Sequence, residues 1–115
     1  MIRHYKFNYD LHEAEVCFKV DTSKFNTEMA QANLDFFLWD YDKEADPIDE
    51  VMKKYAMEAI RIATTKNYNR YGVQKEFENL EGFLRVDGID SGIELKLIRA
   101  YEFDDDKLDM TVVKD

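Results

Sequence analysis

Apolar and polar positions along the chain fall into two rhythms, one of period two at both ends and one of helical period between them. Residues 2–9 alternate, with Tyr5, Phe7 and Tyr9 on one side and His4, Lys6 and Asn8 on the other, which predicts a half-buried strand. After the polar stretch Asp10 to Glu13, residues Ala14, Val16, Phe18 and Val20 alternate against Glu15, Cys17 and Lys19. The two runs predict an antiparallel hairpin whose register follows its apolar face.

Helical spacing takes over at Asn26 or Thr27, either of which can cap a helix running to about Tyr41. Ala30, Leu34, Phe37, Leu38 and Tyr41 make one stripe, and Met29, Ala32, Phe36 and Trp39 a second. Such a helix is either sandwiched in the core or presents one stripe to a partner. The longest regular run is Asp46 to Lys66. Asp46 caps it, Pro47 suits its first turn, and Ile48, Val51, Met52, Tyr55, Ala56, Ala59, Ile62 and Ala63 form its apolar face, with Glu50, Lys54, Met57, Arg61 and Thr64 opposite. Residues 73–80 predict a short third helix through Val73, Phe77 and Leu80.

Gly82 to Val86 reads as a short strand before an Asp87-Gly88 turn. Ile93 to Phe103 reads as a longer one, with Ile93, Leu95 and Leu97 on one face and a period that blurs at Ile98 to Tyr101, as a bulge or burial on both faces would cause. Leu108, Met110 and Val112 suggest a final edge strand. The order predicts a single α+β domain over 1–115. Its antiparallel sheet has four to five strands, the N-terminal hairpin plus C-terminal strands, and is covered on one face by two main helices and a short third.

The 45% apolar and 14% aromatic content fits a folded globule. No apolar run is long enough to cross a bilayer and the N-terminus lacks the apolar core of a signal peptide, so the expected location is cytoplasmic. Cys17 stands alone, which rules out a disulfide within the chain. A net charge of -9 argues against direct nucleic-acid or anionic-membrane binding and for a protein partner with a basic surface.

Catalytic chemistry finds little support. His4 and His12 have no adjacent nucleophile, and Cys17 has no histidine or helix N-terminus to lower its pKa. Asp40, Asp42, Glu44 and Asp46 start like a calcium loop, but Ala45 stands where that loop needs glycine and Val51 where it needs glutamate. With no phosphate-cradling glycine motif either, no cofactor and no metal ligands are assigned, and the enzyme reading, a carboxylate- or metal-dependent activity, stays an alternative.

The more informative block is Asp35 to Glu50, in which Asp35, Asp40, Asp42, Glu44, Asp46, Asp49 and Glu50 face Lys43 alone and surround Phe36, Trp39 and Tyr41. Aromatic anchors ringed by acids suit a protein interface, with Phe36, Trp39, Asp40, Tyr41, Asp42 and Glu44 as its expected residues. The competing reading puts Phe36 and Trp39 in the core. From Lys53 to Lys75 the balance reverses, with Lys53, Lys54, Arg61, Lys66, Arg70 and Lys75 against Glu58, which leaves a structural homo-oligomer as a further alternative.

The stretch FFLWDYDKEADPIDEVMKKYA, residues 36–56, resembles a family of small, acidic, functionally uncharacterised proteins of bacteria and their phages. That resemblance implies an accessory protein of a phage or mobile element and supplies no catalytic residue. In its sharpest form the expectation is a non-catalytic inhibitor or DNA mimic that docks the nucleic-acid-binding surface of a host protein.

Overall fold

The computed structural model describes residues 1–10, 13–37, 40–100 and 108–113. Strands β1 (Ile2–Tyr9) and β2 (Ala14–Asp21) form the expected hairpin, in register from Ile2 opposite Asp21 to Tyr9 opposite Ala14. Alternation fixes that register. Ala14, Val16, Phe18 and Val20 are fully buried, while Glu15, Cys17, Lys19 and Asp21 between them stay partly exposed on the outer face. Three helices follow, α1 (Thr27–Phe37), α2 (Pro47–Lys66) and α3 (Arg70–Glu78), and β3 (Ile93–Arg99) then pairs antiparallel with β2 to give the order β1-β2-β3.

α2 is the element the others pack on. It touches β2, β3, α1 and α3, and it contributes Ile48, Val51, Met52, Tyr55, Ala56, Ala59, Ile60, Ile62 and Ala63 to the core. Asp46 caps it by accepting the Ile48 N–H at 2.8 Å, and Asn67 ends it in the left-handed region. Its N-terminus is clamped to β1. Arg3 pairs with Asp46 at 3.0 Å and with Asp49 at 3.2 Å, and the Tyr5 hydroxyl donates to Asp49 at 2.5 Å.

Four expectations need correction. The described residues hold three strands rather than four to five: residues 82–86 add only a Leu95 N–H to Val86 C=O bond beside one isolated bridge from Asp87 to Glu94, and 108–113 is unpaired and exposed. β3 carries an extra residue, Lys96, since Phe18 faces Leu95 but Cys17 faces Leu97. The bulge inverts the strand's phase, so Leu97 points outward and Ile98, opposite Val16, turns in. α1 does not reach Tyr41. Its described part is Thr27–Phe37, and Asp40 and Tyr41 lie outside any helix; Glu50 takes the Asp42 N–H at 2.9 Å in the connection to α2. Glu50 itself is buried rather than solvent-facing.

Candidate interaction surface

α1 starts where Asn26 Oδ1 accepts the Met29 N–H at 3.0 Å. Ala30, Asn33 and Leu34 then face the core, leaving Met29, Ala32 and Phe36 on the outside; Phe36 is 59% exposed. Of the two apolar stripes, the one through Met29, Ala32 and Phe36 is therefore open. Trp39, which sequence adds to it, lies outside the described residues.

The open stripe forms one wall of a recess of about 250 Å³, closed on the other side by Gly82 and Leu84. Gly82 adopts φ +87°, and a Cβ there would collide with the rings of Phe36 and Phe37. Only glycine lets the 82–84 segment pass this close to the end of α1. Phe37 stands edge-on to Phe36 with centroids 4.9 Å apart and packs on Phe83 at 4.9 Å.

A buried polar network holds the floor. Asn33 Nδ2 donates to Gly82 C=O at 2.7 Å, the Tyr55 hydroxyl donates to Asn33 Oδ1 at 2.6 Å, and the Leu84 N–H donates to the same hydroxyl at 3.0 Å. Burial pushes the Tyr55 pKa upward, which keeps the hydroxyl available as a donor. Sequence reasoning assigned Tyr55 to the core and passed over Asn33, whose signal is a single amide on an otherwise apolar stripe.

Acids predominate around the recess, where Arg85, next to Leu84, is paired with Glu78 at 3.6 Å. α1 carries Glu28 and Asp35 and no basic residue, and exposed Glu81 immediately precedes Gly82. Asp40, Asp42 and Glu44 are exposed as well. Asp40 is four residues beyond Phe36, so the Cα atoms are at most about 14 Å apart. The loop is shaped by the Glu44 N–H bound to Asp42 Oδ1 at 2.9 Å and the Ala45 N–H bound to Asp42 C=O at 3.1 Å. Tyr41 is half-buried against the core, and its hydroxyl accepts from Gln31 at 2.8 Å. It fixes the loop rather than standing clear of it.

The acidic block is thereby split by role. Asp46 and Asp49 hold β1, and Glu50 holds both Asp42 N–H and Lys53, the latter at 2.6 Å; the Lys53 contact, then the Asp42 N–H, lower its pKa. Asp35 accepts from Gln31 at 3.0 Å on the helix surface. Among the described residues, Asp40, Asp42 and Glu44 face solvent without a structural ion pair.

Elsewhere, among the described residues, no three His, Cys, Asp or Glu side chains gather as metal ligands, and no helix is long and apolar enough to cross a membrane. A cleft of about 120 Å³ gathers Lys19, Lys24, Asp21 and Glu94, but Asp21 is taken up by the Ser23 N–H and hydroxyl at 3.0 and 2.6 Å. His4 is exposed on the outer face, and His12 lies outside the described residues. Burial, then the neighbouring Glu15 carboxylate, raise the Cys17 pKa, the opposite of what a nucleophilic thiol needs. The chain matches no family model, no curated protein and no solved structure.

Proposed function

We propose that the protein is a non-catalytic binding protein whose docking surface is the open stripe of α1 with its acidic surroundings, and that its partner is a protein with a basic, nucleic-acid-binding face. The observation that carries this reading is Phe36. A phenylalanine left 59% exposed at the mouth of an apolar recess, on a helix whose only charges are negative, is built like an interface anchor. Asp40, Asp42 and Glu44 steer the basic partner toward it, and Met29, Ala32 and Leu84 supply the apolar surround that excludes water. With a net charge of -9, the protein competes with nucleic acid for that face and acts as an inhibitor or DNA mimic, the role expected of a phage or mobile-element accessory protein.

The test is affinity capture from a host lysate, followed by a DNA-binding assay on whatever is recovered. The wild type is expected to capture a basic partner in a salt-sensitive manner and to displace DNA from it. Phe36→Ser and the triple variant Asp40→Asn, Asp42→Asn, Glu44→Asn are expected to lose it. Equal recovery by all three proteins would overturn the assignment.

A further inference from the structure

The C-terminal segment presents apolar side chains that nothing among the described residues covers. Leu108 is 73% exposed, Met110 87%, Val112 69% and Val113 84%. The long axis of the molecule is 61 Å against 30 and 25 Å for the others, and its radius of gyration is 16.5 Å, where a compact chain of this length has about 13 Å. Yet the pattern of 108–112 is that of a strand, with Leu108, Met110 and Val112 on one face and Asp109 and Thr111 on the other.

A matching acceptor exists in the sheet. Among the described residues β1 pairs only with β2, which leaves an eight-residue edge. The Thr22 N–H donates to Met1 C=O at 2.9 Å, and antiparallel alternation from that pair turns the backbone groups of Arg3, Tyr5 and Phe7 toward β2. Those of Ile2, His4, Lys6 and Asn8 point off the edge. On the inner face Tyr5 and Phe7, stacked with centroids 5.8 Å apart, are only half-buried, a ledge at the margin of the core. On the outer face stand His4 and Lys6.

We propose that residues 108–113 add as a strand to the β1 edge of a second copy of this chain, giving a dimer in which each copy lends its segment to the other. One strand register satisfies both faces. Leu108, Met110 and Val112 extend the inner face beside Tyr5 and Phe7, while Asp109 on the outer face lies beside His4 and Lys6. Charge supports the same pairing, because the outer face of β1 presents His4 and Lys6, the latter also reaching Glu15 at 3.7 Å, and residues 1–9 contain no acid, whereas 104–115 contain Asp104, Asp105, Asp106, Asp109 and Asp115 against Lys107 and Lys114. Reciprocal exchange uses each edge once and closes the assembly, so the contact ends at two copies instead of propagating. The proposal is independent of the docking surface on α1.

Light scattering of the full chain from micromolar to sub-millimolar concentration, with amide hydrogen exchange read at His4, Lys6 and Asn8, tests it. The wild type is expected to be a concentration-dependent dimer whose protection at those amides appears with dimerisation. Two variants alter exposed positions, Met110→Asp with Val112→Asp, and His4→Glu with Lys6→Glu, the second also removing the 3.7 Å Lys6–Glu15 pair, and circular dichroism checks that each keeps the monomer's fold. Each is expected to weaken the dimer at least about tenfold. A wild type that stays monomeric overturns the proposal whether or not those amides are protected, protection in a monomer meaning that the segment closes on its own chain. A dimer that persists unchanged in either variant overturns it as well.

Discussion

Tyr55 and Asn33 share a hydrogen bond of 2.6 Å in the middle of the molecule, and through it α2, α1 and the 82–84 segment meet at one hydroxyl. Tyr55→Phe removes that oxygen while keeping the ring on Phe77 and Phe83. Asn33 Oδ1 and the Leu84 N–H are then left without their partner, so the substitution is expected to cost about 1–3 kcal/mol. Urea denaturation checks the loss. A double-mutant cycle with Asn33→Ala is expected to be non-additive, since both single changes break the same bond.

Gly82→Ala attacks the same region by another route. The residue sits at φ +87°, and its new methyl group meets Phe36 and Phe37. Backbone strain and ring displacement together are expected to destabilise the fold by about 1–3 kcal/mol, measured by the same denaturation.

Phe36→Ala separates binding from stability. A side chain this exposed is expected to change folding free energy by no more than about 0.5 kcal/mol. Partner capture is expected to fail in the same variant. A large loss of stability would place Phe36 in the core and remove its role as an anchor.

The clamp between β1 and α2 predicts an alkaline limit. Burial, then the bond to Asp49, push the Tyr5 pKa up to about 12 from its usual 10.0. Since the folded state holds this proton more tightly, the resulting stabilisation is complete below pH 10 and is lost as pH rises toward 12. Thermal melts across that window are expected to fall more steeply for the wild type than for Tyr5→Phe.

Glu50 sets an opposite, acidic limit. Its pKa is lowered by Lys53 and then by the Asp42 N–H, so its contribution is present above the usual carboxylate range and fades as pH falls through the lowered value. In Glu50→Gln the stability lost between neutral and acid pH is expected to shrink. Melts of the two proteins at neutral and acid pH measure the difference.

The hairpin and α2 were legible because each rests on strictly local signals. Alternation alone sets the face of β2, and Asp46, Pro47 and a face repeated through five turns define α2. What could not be read from the chain depends on residues far apart in it. The inversion of Leu97 follows from pairing with Cys17 eighty positions earlier. The connection into α2 depends on Glu50, eight positions on, capturing the Asp42 N–H. In the acidic block, composition groups seven carboxylates as one feature. Only the positions of Arg3, Tyr5 and Lys53 show that Asp46, Asp49 and Glu50 serve the fold while Asp40, Asp42 and Glu44 face solvent.

The central strand acquires its two neighbours on very different terms. β1 reaches β2 through a turn closed by the Glu13 N–H on Asp10 C=O, whereas β3 meets β2 only after all three helices, with Arg99 bonded to Glu15 across 84 positions. Loop closure makes the second pairing the slower event. A folding transition state in which the hairpin and α2 are formed and β3 is still unattached follows from that asymmetry. Leu95→Ala would therefore chiefly accelerate unfolding, and Val51→Ala would chiefly retard folding. Until β3 attaches, the inner row of β2 lacks one flank, and a nascent chain would expose Val16, Phe18 and Val20 to aggregation for longest at that edge.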